Sequence, residues 1–214
     1  MNLDELRLVL RSSLVADALD SLGRRHQCLG WDIVPLERGR RLIGHAFPVS
    51  LVEVDAVPEV PYVELLRALD AIGPDEVFVV PTARSERAAV WGELLSSGCL
   101  AAGAAGALTD GLVRDAELVR GLGFPVFARG TLPSDINGRF EVTGHGEPVE
   151  LDGVRIERGD LVVGDEDGVV VVPTTLRNDV IARALAKDTD ENRFRQAVAE
   201  GVKPSEAFRR YGTL

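Results

Sequence analysis

The chain has 214 residues, which is enough for one sizeable core or at most two small domains, and its hydrophobic content of 45% is typical of an ordinary soluble globular protein. The formal net charge of −10 argues against a protein that binds nucleic acid directly, because no basic field is available to displace counterions from phosphates. No apolar run approaches the roughly 20 residues that span a bilayer, and residues 1–13 lack the basic start and apolar core of a signal peptide, so we expect no membrane partner and a cytoplasmic location.

The first third of the chain predicts a helical segment and a long strand. Apolar residues at three- and four-residue steps predict a helix over 4–23, and Ser12-Ser13 is expected to interrupt it and to cap a second helix. Residues 41–54 predict a strand, in which Gly44 and Pro48 are expected at bends or edges.

In the middle of the chain, predicted strands alternate with predicted helices. This order is typical of parallel strands joined by right-handed crossovers. The loop over 81–88 is rich in Arg and Glu. The elements, in order, are helix Tyr62–Ala71, strand Glu76–Val80, helix Gly92–Ala102, strand Gly106–Thr109, helix Asp115–Gly121 and strand Phe124–Arg129.

The pattern changes after Gly130, where short apolar segments are separated by Gly and Asp turns. These segments predict antiparallel strands. They are Arg139–Val142, Pro148–Leu151, Val154–Ile156, Leu161–Gly164 and Val169–Val172. The tail over 175–211 predicts helix with a break near Gly201 and Lys203-Pro204, and it is polar enough that we expect it to lean on a neighbouring subunit.

One stretch, residues 91–115, concentrates side chains that can bind an acid and a metal ion. A helix that begins at Gly92-Glu93 leaves its first N–H groups unpaired, and such groups bind carboxylates. In the Arg114-Asp115 pair, the guanidinium of Arg114 can bind the carboxylate of a ligand through two hydrogen bonds. The carboxylate of Asp115 can bind Mg²⁺. Because the net charge is negative, an anionic substrate requires a local basic cluster. Candidates for that cluster are Arg84, Arg87 and Arg114.

Each of these motifs also fits a purely structural role. The segment Gly92-Glu93-Leu94-Leu95 fits an ordinary helix start with two core leucines. The Arg114-Asp115 pair fits a surface ion pair, or an Asp that caps the following helix. Spacing alone leaves both alternatives open.

Other catalytic chemistries find little support in the sequence. Cys28 and Cys99 have no metal-ligand spacing, so neither a disulfide framework nor a zinc site is expected. The three histidines likewise lack partners at metal-ligand spacing, and His145 is expected in a loop. The only lysines, Lys187 and Lys203, lie in the polar tail, which argues against Schiff-base catalysis.

The segment WGELL…AGALTDGLVRDAELVRGLGFPVFARG resembles the RraA-like family, which contains the regulator of ribonuclease activity A and the 4-hydroxy-4-methyl-2-oxoglutarate/4-carboxy-4-hydroxy-2-oxoadipate aldolases. The likeness extends over nearly the whole chain and includes 17–23, 153–173 and 205–212. It implies one α/β domain over 1–214. The implied fold is a β/β/α sandwich with mixed sheets, similar to swivelling phosphohistidine domains, with a helical C-terminal arm over 176–214. It also implies a homotrimer or hexamer.

The resemblance further implies roles for the residues that match the aldolase signature of an acid, twenty intervening residues and Arg-Asp. Glu93 and Arg114-Asp115 match this spacing, although Glu93 stands where the family usually has Asp. Asp115 would ligate Mg²⁺ or Mn²⁺, Arg114 would bind the oxo-acid, and the N–H groups of Leu94 and Leu95 would bind its carboxylate.

The family also uses an acidic residue from a neighbour's C-terminal helix, for which Glu191 is the nearest match and Asp190 the alternative. The implied activity is cleavage of a 4-hydroxy-2-oxo-dicarboxylate or tricarboxylate to pyruvate and a second oxo-acid, together with oxaloacetate decarboxylation. A non-catalytic regulator of an RNA-degrading enzyme is the alternative, and a lyase or hydrolase of an unrelated acid is a third.

Overall fold

A computed structural model describes residues 3–213 of the protein. The helices are α1 (Leu3–Val9), α2 (Ser12–Ser21), α3 (Val63–Ala71), α4 (Glu93–Ala101), α5 (Ala116–Leu122), α6 (Arg177–Ala199) and α7 (Pro204–Tyr211). The strands are β1 (Val34–Pro35), β2 (Leu42–Glu53), β3 (Glu76–Val79), β4 (Ala89–Trp91), β5 (Gly106–Leu108), β6 (Leu112–Val113), β7 (Val126–Ala128), β8 (Gly130–Thr131), β9 (Phe140–His145), β10 (Val149–Leu151), β11 (Val154–Ile156), β12 (Leu161–Asp165) and β13 (Gly168–Val172). The α/β class is confirmed.

The main sheet is mixed, as predicted. Its strands lie in the order β1-β7-β5-β3-β2-β12-β13, and β9 pairs with the second half of β2. The pairs β2–β3, β3–β5 and β5–β7 are parallel, which confirms the arrangement expected from alternating strands and helices. Strands β9 to β13, which follow residue 139, pair antiparallel, also as expected.

Strand β2 runs through the middle of this sheet, and the expected bends or edges at Gly44 and Pro48 are wrong. Gly44 pairs with Val162 inside the strand, and a Cβ at this position would lie 2.6 Å from the Asp75 carbonyl oxygen. Pro48 pairs with Val79, and from the next residue onward β2 pairs with β9. Glycine is therefore needed for close packing, and proline marks the point where the strand changes partners.

The helical N-terminus breaks where predicted, but its cap comes from elsewhere. Ser12 is the first residue of α2, and Arg11 occupies the N-cap position without a side-chain cap bond. The Asp165 carboxylate, at the end of β12, accepts hydrogen bonds from the Ser12 N–H at 2.8 Å and from its hydroxyl at 2.5 Å. A negative charge at a helix N-terminus is favourable, so this contact ties α2 to the main sheet.

The sequence analysis missed a small parallel sheet, β4-β6-β8, because its short strands lie in segments whose local pattern predicts loops or helix starts. The Arg114 N–H donates to the Trp91 carbonyl at 2.9 Å and continues the ladder. Carboxyl ends of parallel strands meet at one edge, where clefts commonly form. The segments that follow these three strands therefore lie side by side, and they contain Glu93, Arg114-Asp115 and Asp135.

The C-terminal arm packs on its own chain through a narrow apolar face. Val180 and Ala184 of α6 are buried in a cluster with Leu14 and Leu19 of α2. The predicted break separates α6 from α7, which begins at Pro204. Among residues 3–213, no helix is long and apolar enough to cross a membrane.

Candidate functional site

A cavity of about 270 Å³ opens at the carboxyl edge of the small sheet. It lies between this edge, the start of α4 and one face of α3. Its lining residues are Tyr62, Leu65, Leu66, Leu69, Ala89, Val90, Trp91, Gly92, Glu93, Leu94, Leu95, Arg114, Asp115, Asp135 and Ile136. The site residues predicted within 91–115 therefore all line this cavity, whereas the predicted C-terminal Glu191 does not. They are Gly92, Glu93, Leu94, Leu95, Arg114 and Asp115.

Arg114 faces the cavity with most of its donors unused by the protein. Its Nη2 lies 3.6 Å from Asp135 Oδ1, and its Nε lies 3.7 Å from Asp115 Oδ2. Both distances exceed those of a normal charge-assisted hydrogen bond. The guanidinium is 37% exposed, so it is attracted to both carboxylates yet keeps donors for a ligand.

Asp115 lies at the N-cap position of α5, but its side chain does not cap that helix. Its φ is +56°, a left-handed conformation that is uncommon for a non-glycine residue and is found often at functional sites. The carboxylate is 43% exposed and has only the long contact with Arg114 among the ion pairs it makes. Neither a tight ion pair nor a helix cap therefore explains Asp115.

The donors present fit a weakly held hard cation. In the described part of the chain, no cluster of three or more His, Cys, Asp or Glu side chains could hold a metal ion. A metal ion held by Asp115 would therefore depend on water and substrate oxygens to complete its coordination. Mg²⁺ is commonly bound through one or two carboxylates and several waters in this way.

The start of α4 forms the wall beside Arg114 and Asp115. Gly92 occupies the N-cap position without a side-chain cap, so the first N–H groups of the helix are not satisfied by a capping side chain. Leu95 packs partly against the core, but Leu94 is 76% exposed and is not a core leucine. Glu93 accepts a hydrogen bond from the Ser97 hydroxyl at 2.8 Å while it lines the cavity.

Buried contacts fix this helix start. The indole Nε1 of the fully buried Trp91 donates to Ser96 Oγ at 2.8 Å, and the Ser96 hydroxyl donates to the Gly92 carbonyl at 2.9 Å. Trp91 also packs against Phe78 at a ring-centroid distance of 5.0 Å. The helix start is thus held by the core.

Asp135 and Tyr62 complete the polar side of the cavity, and the sequence analysis missed both. The Ser134 carbonyl accepts a hydrogen bond from the Ala89 N–H at 2.9 Å, which ties the loop of Asp135 to β4. The Tyr62 hydroxyl donates a short hydrogen bond to Asp135 Oδ2. Tyr62 has a φ of +65° at the N-cap of α3, and no local sequence signal marks it as a site residue.

These contacts keep Asp135 ionised. Burial alone would raise the pKa of Asp135, but the hydrogen bond from Tyr62, the backbone N–H of Ile136 and the charge of Arg114 together lower it. The Asp135 carboxylate in turn raises the pKa of Tyr62 above its ordinary value. Tyr62 is therefore the donor and Asp135 the charged acceptor.

Two of the predicted basic residues do not belong to the site. Arg84 forms ion pairs with Asp32 and Asp152, and Arg87 forms ion pairs with Glu53 and Asp55. Neither arginine lines the cavity. The expected cluster that would attract an anion is therefore wrong for Arg84 and Arg87, and of the three only Arg114 fits.

Glu191 does not line the cavity of its own chain. Its carboxylate lies 3.4 Å from both Arg11 and Arg195 on the surface of α6. Asp190, the alternative, pairs with Arg193. A role for either acid at a site would require a second copy of the chain, as the resemblance implied.

The cysteines and His145 offer no competing centre. Both cysteines are free, and burial raises the pKa of Cys99 to about 12. Burial and the nearby Asp20 also raise the pKa of Cys28, so neither thiol is an activated nucleophile. His145 ends strand β9 and stacks on Phe47 at 5.4 Å, so the expected loop position is wrong.

Comparisons with known proteins identify the family of this chain. The model of the RraA-like family, described as Aldolase/RraA, matches residues 12–171. A protein of Halalkalibacterium halodurans with the provisional name 4-hydroxy-4-methyl-2-oxoglutarate aldolase is 30% identical over 200 residues, which cover 92% of this chain and 89% of the relative.

Two further relatives show the breadth of the match. Protein DlpA of Legionella pneumophila is 27% identical over 98% of this chain, but this chain spans only about a third (34%) of DlpA. The crystal structure of Streptomyces coelicolor RraAS2, titled an unusual member of the RNase ES inhibitor RraA protein family, superposes with a TM-score of 0.78. It is 28% identical and covers 89% of this chain and 93% of its own. The chain therefore belongs to the RraA-like (Aldolase/RraA) family, in which some proteins are named as aldolases and others as ribonuclease inhibitors.

Proposed function

We propose that this protein is a divalent-metal-dependent lyase that cleaves a 4-hydroxy-2-oxo acid to pyruvate and a second oxo compound, and that it also decarboxylates oxaloacetate. The reference substrates are 4-hydroxy-4-methyl-2-oxoglutarate and 4-carboxy-4-hydroxy-2-oxoadipate. The observation that carries the proposal is that Arg114 and Asp115, both without tight protein partners, line the same cavity as the uncapped start of α4.

The start of α4 is suited to hold the C1 carboxylate of the substrate. The N–H groups of Leu94 and Leu95 lie in the first turn of the helix, where the partial positive charge of the helix favours an anion. Gly92 keeps this approach open because it carries no side chain. Binding the carboxylate here places the neighbouring C2 carbonyl on the side of Arg114 and Asp115.

Arg114 is suited to stabilise the negative charge that develops during the reaction. Breaking the C3–C4 bond leaves the electron pair on an enolate of pyruvate, whose charge is concentrated on the C2 oxygen. The unused donors of Arg114 would bind that oxygen more strongly as its charge grows, which is the condition for lowering the barrier. Asp115 would hold Mg²⁺ or Mn²⁺, and that ion would supply Lewis-acid chemistry to the reaction.

A base must remove the proton of the C4 hydroxyl as the C4 carbonyl forms. Glu93 lines the cavity and is the candidate within the chain, acting directly or through a water. Glu191 of the partner subunit is the other candidate, in a homotrimer or hexamer. Oxaloacetate loses CO₂ through the same enolate and requires no such base, so the two reactions differ in what they demand of Glu93.

The proposal is tested by following pyruvate release from 2-oxo acids with purified protein, with and without Mg²⁺. We expect turnover of oxaloacetate that EDTA abolishes and that Mg²⁺ or Mn²⁺ restores. Arg114→Ala should lower kcat/KM by on the order of 10²-fold, the usual loss for one donor to a developing oxyanion. Undiminished turnover in metal-free buffer, or in Arg114→Ala, would overturn the proposed mechanism.

The second candidate is a non-catalytic regulator that binds an RNA-degrading enzyme. The similarity to RraAS2 over 89% of this chain favours it. One experiment distinguishes the two proposed functions: the protein is assayed for pyruvate release and for inhibition of a purified ribonuclease E-type enzyme. Inhibition without turnover would favour the regulator.

A further inference from the structure

The charges that line the cavity are unbalanced towards the negative. Among its lining residues, all within the described part of the chain, Arg114 is the only cation, whereas Glu93, Asp115 and Asp135 are carboxylates. A divalent cation on Asp115 together with Arg114 would only balance these three acids. Once the C1 carboxylate of a substrate is bound, no further positive side chain remains in the described lining of the cavity to pair with a second carboxylate.

Part of the cavity lining is apolar. Helix α3 contributes Leu65, Leu66 and Leu69 to this part, and the lining also includes Ile136 and Leu94. Leu66 is 56% exposed and Leu94 is 76% exposed, so both have apolar surface that a bound molecule could cover. Such surface stabilises an aliphatic group and excludes a charged one, because burying an unpaired carboxylate is costly.

We infer that the substrate of this chain is a 4-hydroxy-2-oxo acid with a single carboxylate and an aliphatic group on C4, rather than a di- or tricarboxylate. This inference rests on the proposed function and narrows its substrate class. In the reaction, the C3–C4 bond breaks, the C4 hydroxyl proton passes to the base and C4 becomes the carbonyl of an aliphatic aldehyde. The electron pair left on C3 takes up a proton to give the methyl group of pyruvate.

Three substrates separate this inference from the function on which it rests. They are oxaloacetate, 4-hydroxy-4-methyl-2-oxoglutarate and 4-hydroxy-2-oxoheptanoate, each assayed for pyruvate release by the full-length protein with Mg²⁺. We expect kcat/KM for the aliphatic acid to exceed that for the dicarboxylate by at least about tenfold, since single apolar groups in such pockets are worth roughly 10- to 200-fold.

The outcomes are distinct. If the protein decarboxylates oxaloacetate and cleaves the dicarboxylate as well as or better than the aliphatic acid, the proposed substrate class is wrong and the proposed lyase activity is unaffected. The same result is expected if a neighbouring copy of the chain supplies a second cation. No pyruvate from any of the three acids would overturn the lyase and the substrate class together.

A charge placed on the apolar wall provides the second test. Leu66→Arg should raise the ratio of dicarboxylate to aliphatic cleavage by about tenfold or more, because it supplies the missing partner for a distal carboxylate. The matched control is Leu8→Arg, since Leu8 is 80% exposed on α1 and does not line the cavity. An unchanged ratio in folded Leu66→Arg, or the same shift in Leu8→Arg, would refute the assignment of the wall.

Discussion

Replacing Gly92 with alanine tests whether the start of α4 must stay free of side-chain atoms. Gly92 has a φ of −168°, an extended conformation that any residue adopts, so alanine brings no backbone strain. Its Cβ would lie 3.2 Å from both Arg114 Cγ and Asp115 Oδ2. Ordinary contacts begin near 3.4 Å, so these two side chains must move by a few tenths of an ångström.

That displacement sets the expected size of the effect. A 1 Å misplacement of catalytic groups costs about 10²-fold in rate, so a shift of a few tenths predicts a loss of roughly 4- to 10-fold in kcat/KM. Stability should not fall with it. Arg114 and Asp115 are both more than a third exposed and can yield, and a glycine-to-alanine change without strain favours folding by about 0.4–1 kcal/mol through the unfolded chain.

The measurements are oxaloacetate decarboxylation and the midpoint of thermal unfolding. Gly121→Ala is the matched control, because a Cβ at Gly121 in α5 meets nothing within 4 Å. We expect wild-type activity in Gly121→Ala and lowered activity in Gly92→Ala, with neither protein less stable than wild type. Full activity in Gly92→Ala would show that the helix start is not where the reaction occurs, and a lower unfolding midpoint would show that its effect is structural.

Four further changes probe the rest of the site. Asp115→Ala should abolish both aldol cleavage and decarboxylation, because it removes the only protein ligand proposed for the metal, and isothermal titration with Mn²⁺ should show the lost binding. Glu93→Gln should lower cleavage more than decarboxylation, and equal losses would refute its assignment as the base. Tyr62→Phe removes a hydrogen bond that lowers the pKa of Asp135. Asp135 is charged above its lowered pKa and loses that charge as the pH falls through this pKa. In Tyr62→Phe the pKa of Asp135 should rise towards the ordinary aspartate value of about 4, so the acid limb of the kcat/KM profile should move to higher pH. Deleting residues 189–214 should weaken both assembly and activity, and a fully active monomer in sedimentation would contradict the shared site.

Local patterns in the sequence predicted most of the fold because strand segments alternate with helical segments or are bounded by turn residues. The alternation with helices around Glu76–Val79 and Gly106–Leu108 identified the parallel strands, and the turns after Gly130 identified the antiparallel strands. The strands of the small sheet lie next to loops and helix starts and carry no such signal. They form because Trp91 and Val113 are buried by distant parts of the chain, which no local window records.

The same contrast between local patterns and long-range contacts explains which site residues could be predicted. Glu93, Arg114 and Asp115 could be predicted because they lie within one stretch and match a family spacing. Asp135 and Tyr62 could not, because one is in a polar loop, the other starts an ordinary helix, and 73 residues separate them. Only the folded chain brings the two side chains together beside the guanidinium.

The contacts of the arginines distinguish a binding group from a structural one within this molecule. Arg84 meets Asp32 at 2.5 Å and Asp152 at 2.7 Å, and the loop over 81–88 is anchored by these bonds. Arg114 also has two carboxylates beside it, but at 3.6 and 3.7 Å. Attraction at those distances orients the guanidinium without using up its donors, since N–H···O hydrogen bonds in proteins are about 2.7–3.2 Å long. An incoming oxo-acid can therefore bind to Arg114 without first breaking an internal ion pair, whereas at Arg84 it would have to displace two carboxylates.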